Sequence, residues 1–103
     1  MSNRYGEQSF NRKAPHVYEI ITNAKPGFGV PLVKRGLQFM FEETDCLIVE
    51  AIILASNKHA QVVATHVGFI HQGNNGPNRY YRITISRWLS LNPGSKAEAR
   101  RPK

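Results

Sequence analysis

The sequence predicts a mainly β protein: a single small domain folded as an antiparallel meander or barrel of about five strands, with basic arms at both ends. Its length of 103 residues leaves room for one hydrophobic core. Apolar residues in its middle part alternate with period two more often than they recur at the spacing of a helix. Polar, aperiodic ends set the predicted boundaries, with a flexible arm over 1–15, a globular domain over 16–91 and a flexible tail over 92–103.

The first half of the predicted domain contains a strand, a turn and an ambiguous segment. The strand covers 16–23, which is rich in β-branched and aromatic residues, and the turn-forming cluster 25–29 follows it. Beyond Pro31 the apolar residues again occupy alternate positions and favour a second strand. The alternative is an α+β protein with a helix over 31–43, because proline is favoured at the first position of a helix.

The second half completes the predicted sheet. The segment 46–55 is a continuous apolar run of strand length, typical of a buried central strand. The segments 61–71 and 79–89 flank 72–78, where Asn-Gly and Gly-Pro steps provide the positive φ and the stop that a hairpin tip requires. The sequence therefore predicts a hairpin around this tip.

The charge of the chain indicates a polyanionic partner. Fourteen Lys and Arg residues against 7 Asp and Glu give a formal net charge of +7. The acidic residues are unevenly placed, since none occurs between Ala51 and Ala97. The second half of the domain is therefore the basic half, and it should attract polyanions.

One segment of this basic half, 79–88, predicts a binding surface. If it is a strand, Tyr80, Arg82 and Trp88 share one face and Ile83 points to the core. Aromatic rings interleaved with a guanidinium can stack unpaired bases and pair with their phosphates. The alternative is that Tyr80 and Trp88 fill a second apolar layer while Arg82 only solvates a sheet edge.

The leading functional expectation is a small nucleic-acid-binding protein for single-stranded DNA or RNA, which is not an enzyme. The second is a structural or inhibitory interaction factor of viral, phage or plasmid type that docks an acidic partner. A homo-oligomer formed through sheet edges is a further expectation. The predicted nucleic-acid contacts are Arg79, Tyr80, Arg82, Arg87, Trp88, His71, Lys58, Arg100 and Arg101.

Other motifs predict no cofactor, metal or catalytic residue. The segment 25–30 resembles the opening of a glycine-rich phosphate loop, but it lacks a third glycine and the Gly-Lys-Ser/Thr step, so it is interpreted as a turn. The histidines lack the spacing of metal ligands, since His66 and His71 would lie on opposite faces of a strand. Cys46 opens an apolar run and is interpreted as a buried hydrophobic residue.

The sequence also predicts a cytoplasmic protein without a membrane span. Its longest apolar run, 47–55, is interrupted by Glu50 and is far shorter than the roughly 20 residues of a membrane helix. The polar N-terminal residues do not resemble a secretory signal, and a lone cysteine cannot form an internal disulfide.

Overall fold

The protein consists of a mixed β-sheet and a layer of helices on one of its faces. The computed structural model describes residues 2–3, 6–24 and 27–100. In chain order the elements are β1 (Ser2–Asn3), β2 (Gly6–Ala14), β3 (Val17–Ala24), α1 (Gly29–Glu43), β4 (Ile48–Leu54), α2 (Lys58–Val67), β5 (Ile70–Asn75), β6 (Asn78–Thr84), α3 (Ile85–Leu91) and a 3-10 helix, η1 (Lys96–Arg100).

The prediction of a mainly β meander is wrong, because the described residues form three α-helices and a sheet that is only partly antiparallel. Helices α1 and α2 connect strands, and α3 follows the last strand. The sheet has six strands in the order β1-β2-β3-β4-β6-β5, and β1 contributes only two residues. Strands β3 and β4 run parallel, and every other neighbouring pair is antiparallel. A parallel pair needs a crossover connection, and α1 provides it.

Helix α1 occupies the segment for which a helix is the alternative prediction. Its buried residues include Leu32, Gly36 and Met40, which recur every four residues and face the sheet. Phe39, which belongs to the alternating pattern of a strand, is instead 48% exposed. The buried residues of this segment therefore follow the spacing of a helix and not the alternation of a strand.

Helices α2 and α3 replace parts of two predicted strands. Asn57 caps α2 by accepting a hydrogen bond from the Ala60 N–H at 3.1 Å, and Gly68 ends it in the left-handed conformation at φ 118°. Thr84 caps α3 by accepting from the Arg87 N–H at 3.1 Å. Strand β6 therefore ends at Thr84, and the predicted strand over 79–89 is wrong beyond this residue.

The segment 1–15, predicted as an arm, contains β1 and β2. Strand β2 pairs with β3 from Gly6 opposite Ala24 to Ala14 opposite Val17. The side chain of Gln8 is buried beneath α1 and donates from Nε2 to the Leu32 carbonyl at 2.9 Å. Strand β2 is therefore part of the sheet and supports the helical layer.

The three α-helices pack on the same face of the sheet. One core cluster joins Leu37 of α1, Val67 of α2 and Trp88 of α3 to Val49 and Ile83 of the sheet. The described helices include none that is long and apolar enough to cross a membrane.

The other face of the sheet, which we call the open face, is not covered by any described helix. Alternation along the paired strands places on it every second residue from β3, β4 and β6. None of these residues is buried. They are Val17, Glu19, Ile21, Asn23, Ile48, Glu50, Ile52, Leu54, Asn78, Tyr80, Arg82 and Thr84.

Candidate functional site

A cleft forms where the parallel strands β3 and β4 separate. Their pairing covers only Val17 with Ile48, Tyr18 with Val49 and Glu19 with Glu50, although both strands continue beyond it. Among the described residues, the β4-facing edge of β3 has no strand partner beyond Glu19. Ligands in α/β sheets bind at the carboxyl ends of parallel strands, and this gap lies at that end.

The cleft has a volume of about 520 Å³, which is within the usual range for a small-molecule site. Strands β3 and β4 form two of its sides, and α1 and α2 form the others. Open-face residues such as Ile21 and Leu54 line it as well as helix-side residues such as Ile20 and Ile53, so the cleft passes through the sheet. The lining residues are Glu19, Ile20, Ile21, Thr22, Asn23, Gly29, Val33, Ala51, Ile52, Ile53, Leu54, Asn57, His59, Ala60, Val63, Ala64 and Phe69.

The N-terminus of α1 lies at this cleft. Gly27 turns the chain with φ 82°, and Gly29 is the first residue of the helix and lines the cleft. A Cβ atom on Gly29 would lie 3.0 Å from Val63 Cγ2, so a glycine allows the helix to begin this close to α2. Among the described residues, no side chain caps α1 and no acidic residue lies in its first turn. Its positive dipole end therefore favours an anion.

The segment interpreted as an ordinary turn is thus the loop that leads into this helix N-terminus. Lys25 and Pro26 of that segment lie outside the described residues. Its weak resemblance to a phosphate loop is the one signal among neighbouring residues of this segment that points to the cleft. The separation of β3 and β4 has no such local signal, because it depends on residues far apart in the sequence.

Helix α2 is held against the end of β4 by one side chain. Gln61 donates from Nε2 to the carbonyls of Leu54, at 3.1 Å, and Ala55, at 2.9 Å. Its Oε1 accepts from the Tyr81 hydroxyl at 3.4 Å. These contacts fix the wall of the cleft that the first two turns of α2 provide.

Two carboxylates lie side by side where β3 and β4 separate. Glu19 and Glu50 are register partners on the open face, and Glu19 lines the cleft. Like charges directly opposite each other destabilise a sheet, and each one has a cationic neighbour that offsets the repulsion. Lys13 Nζ lies 3.1 Å from Glu19, and Arg82 Nη2 lies 3.0 Å from Glu50. The pair can attract a cationic ligand and accept a proton from it.

A second polar cluster lies at the opposite end of β3 and has a structural role. The Tyr18 hydroxyl donates to Asp45 Oδ1 at 2.9 Å, which raises the pKa of the phenol and lowers the pKa of Asp45. His16 Nδ1 lies 2.8 Å from the Asp45 carbonyl, and the His16 carbonyl accepts from the N–H groups of Leu47 and Ile48. The cluster joins the β2–β3 hairpin to the start of β4.

The predicted nucleic-acid contacts do not form one surface. Trp88 lies in α3, is 4% exposed and packs against Phe41 with ring centroids 5.8 Å apart. Tyr80 and Arg82 do share the open face, but Arg82 pairs with Glu50. The predicted common face of Tyr80, Arg82 and Trp88 is therefore wrong, because β6 ends before Trp88.

The remaining predicted contacts are dispersed. Arg79 donates to the Gly76 carbonyl at 3.1 Å, and Arg87 donates to the Gly68 carbonyl at 3.2 Å. His71 Nε2 lies 2.6 Å from Asn74 Oδ1, and its ring packs on Tyr81. Lys58 begins α2 and is exposed, Arg100 is in η1, and Arg101 lies outside the described residues. In the part of the chain that is described, no three His, Cys, Asp or Glu residues are placed to hold a metal ion.

Solved structures of N-acetyltransferases share this fold. The N-acetyltransferase PseH from Campylobacter jejuni matches with a TM-score of 0.72 at 18% identity, over 78% of this chain and 59% of PseH. A GNAT-family acetyltransferase from Bacillus anthracis matches with a TM-score of 0.69 at 21% identity, over 78% and 58% of the two chains. A chimera of the Vibrio cholerae spermidine N-acetyltransferase SpeG and hSSAT gives 0.74 at 19% identity, over 85% and 66%. The chain has the fold of these N-acetyltransferases.

No protein-family model and no curated protein matches the sequence. The chain spans about three fifths of the length of PseH, since it covers 59% of that protein. PseH has been solved in complex with acetyl coenzyme A, and SpeG with CoA and spermine. The fold match contradicts the expectations of a nucleic-acid-binding function, of a nucleic-acid partner and of a protein that is not an enzyme.

Proposed function

We propose that the protein is an N-acyltransferase that binds an acyl-CoA in the cleft between β3 and β4 and transfers its acyl group to an amine. The observation that carries this proposal is the separation of β3 from β4 directly beside the glycine-led N-terminus of α1. The likeness to PseH and SpeG, which bind acetyl-CoA and CoA, supports it. We also propose the cytoplasm as its location.

The shape and chemistry of the cleft fit a CoA thioester. The pantetheine arm of CoA is a linear chain with amide groups, and the β4-facing edge of β3 can pair with such a chain as another strand would. Apolar lining residues, such as Val33 and Val63, suit the methylene groups of that chain. The N-terminus of α1 suits the pyrophosphate, with the backbone N–H groups of Gly29 and Val30 as donors. Pro31 has no N–H group to contribute.

When bound, the acyl-CoA supplies a thioester whose acyl group passes to the amine: a C–N bond forms, the C–S bond breaks, the amine nitrogen loses a proton and the sulfur gains one. Glu19 is the residue best placed to accept the amine proton, because it lines the cleft at the point where the strands separate. Glu50 beside it adds negative charge that attracts an ammonium group. Lys13 and Arg82 hold these carboxylates in place.

The first test is binding of acetyl-CoA, measured by titration calorimetry on the full chain. Ala60 lines the cleft on α2, so Ala60→Phe should fill part of it and weaken binding by about tenfold or more, equal to about 1.4 kcal/mol. Val62→Phe is the matched control, because Val62 is on the same helix but is 65% exposed and outside the cleft. Absence of acetyl-CoA binding by the unmodified protein would refute the proposal.

The second test separates binding from transfer. Glu19→Gln should retain acetyl-CoA binding and lower the rate of thiol release with amine acceptors by about 10²–10⁴-fold, the usual contribution of a general base. Glu43→Gln is its control, because Glu43 is exposed at the far end of α1. Equal rates for the two variants would exclude Glu19 as the base.

A further inference from the structure

The open face presents apolar side chains in a pattern that a partner can cover. Ile21, Ile52 and Leu54 are 52%, 42% and 53% exposed, and Ile70 on β5, which β6 separates from β4, is 48% exposed. Ile70 shares this face because it is opposite Arg82 in the β5–β6 register. Large aliphatic side chains grouped on one sheet face are typical of an interaction surface.

The charge of the open face differs from that of the whole protein. Its described residues include three carboxylates, those of Glu7, Glu19 and Glu50, and two cations, Lys13 and Arg82. The whole chain carries a net charge of +7. With three carboxylates and two cations, the described open face is close to neutral, so two copies that meet through it do not bring together the excess of positive charge that the whole chain carries.

The charges of the face also complement themselves. Arg82 lies on β6, on one side of β4, and Glu19 lies on β3, on the other side. A two-fold axis that runs along β4, between two facing sheets, places the Arg82 of each copy over the β3 carboxylate, Glu19, of the other. A dimer interface of this kind uses the same patch on both copies and requires such self-complementarity.

The size of the open face can be compared with that of a standard dimer interface. An axis along β4 places β5 of one copy over β2 of the other, so five strands, β2, β3, β4, β6 and β5, contribute to the contact. At spacings of about 4.8 Å and lengths of roughly 20 Å they give a footprint of about 480 Å² in projection. The accessible area of ridged side chains exceeds the projection, which brings it towards the roughly 800 Å² per partner of a standard interface. Sheets packed face to face with aligned strands are a common arrangement.

From these observations we infer that the protein forms a two-fold dimer through its open face, and that the second copy closes the cleft from the side opposite the helices. The cleft passes through the sheet beside β4, so the same axis places the second copy over its open side. The dimer itself follows from the face alone. Its role in completing the acceptor side of the cleft rests on the proposed function.

The test is the oligomeric state of the full chain by sedimentation velocity over a range of concentrations. The protein of 11.7 kDa should sediment as a dimer of about 23 kDa, twice that mass. Ile70→Lys should raise the dimer dissociation constant by about tenfold or more, because it would bury a charge in the interface. Ile70→Ser tests the same contact without adding charge. Val62→Lys is the matched control on the helical layer and should remain dimeric.

A protein that stays monomeric at every concentration would overturn the inference. A dimer dissociation constant that is unchanged in both Ile70 variants would also overturn it, because it would place the interface elsewhere, for example on the helical layer. Acetyl-CoA binding is measured separately on Ile70→Lys, since Ile70 does not line the cleft. Dimerisation without acetyl-CoA binding would refute the proposed function but not the inferred dimer. Acetyl-CoA binding by a protein that stays monomeric would refute only the inferred dimer.

Discussion

Replacing Gly36 with alanine should loosen the contact between α1 and β2. A Cβ atom at this position would lie 2.5 Å from Gln8 Nε2 and 2.8 Å from Phe10 Cζ, closer than such atoms pack. The Gln8 side chain is 3% exposed and its Nε2 donates to the Leu32 carbonyl, so it cannot move aside without weakening that hydrogen bond. Gly36→Ala therefore introduces overpacking at the point where the helix meets the strand.

The expected cost follows from opposing contributions. Overpacking costs about 1–3 kcal/mol, and weakening the Gln8 hydrogen bond adds about 0.5–1.5 kcal/mol. The higher helix propensity of alanine offsets this cost by about 1 kcal/mol. The net loss is about 0.5–3.5 kcal/mol, and its central value of about 2 kcal/mol lowers the Tm of a domain of this size by about 8–16 °C.

The measurement is thermal unfolding by circular dichroism, with a double-mutant cycle as its control. In the Gln8→Ala background the closest obstacle is absent, so Gly36→Ala should cost at least 1 kcal/mol less than it does alone, within the roughly 0.5–3 kcal/mol usual for contacting residues. A higher Tm for Gly36→Ala than for the unmodified protein would refute the reasoning. It would show that β2 does not press on α1 at Gly36.

Two further predictions concern the contact of α1 with the segment after α3, and the cap of α3. The hydrogen bond from Ser95 to Glu42 holds the pKa of Glu42 below its usual value of 4.5, so this carboxylate stabilises the fold above that pH and ceases to do so as the pH falls through its lowered pKa. In urea unfolding as a function of pH, Glu42→Gln should be less stable than the unmodified protein at neutral pH, and the difference should disappear in acid; a constant difference would contradict the assignment. Thr84→Ala removes the cap of α3 and should lower the free energy of unfolding by about 1 kcal/mol, whereas Thr84→Ser should retain it. Equal stability of these two variants would show that the cap contributes nothing.

Parts of the fold could be predicted where local chemistry was sufficient. The strand predicted over 16–23 is present as β3, and the run 46–55 contains β4. The hairpin predicted around 72–78 is present, with its turn at Gly76 and Pro77. Positive φ at a glycine and the continuous apolar run of a central strand are properties of a few adjacent residues, so their signals survive in the sequence.

The helices show where this reasoning fails. From 79 to 89 the alternation of apolar residues fits a strand, yet the chain changes to a helix at Thr84, and Ile85, Trp88 and Leu89 are buried at helical spacing. Asn57 caps the N-terminus of α2 and Gly68 caps its C-terminus. Both residues are typical of helix ends, but the period-two pattern of apolar residues between them favoured a strand. A short apolar segment fits both periods, and the surface on which it packs decides between them.

The candidate site was the least predictable part. Glu19 and Glu50 are 31 positions apart in the sequence and become neighbours only because β3 and β4 pair in parallel. Glycines 27 and 29 form a weak motif when read alone. Their meaning depends on the cleft beside them, which no local pattern encodes.

Composition and residues close together in the chain were sufficient to predict a single small core, a strongly basic charge, the strands β3 and β4, and the hairpin turn at Gly76 and Pro77. Contacts between distant segments settled three other features: the place of β2 in the sheet, the helices on a single face, and the separation of β3 from β4 beyond Glu19. The difference lies in the range of the interactions. Turn geometry and hydrophobic runs act between adjacent residues, whereas strand pairing and helix packing depend on which distant segments can bury each other's apolar surface.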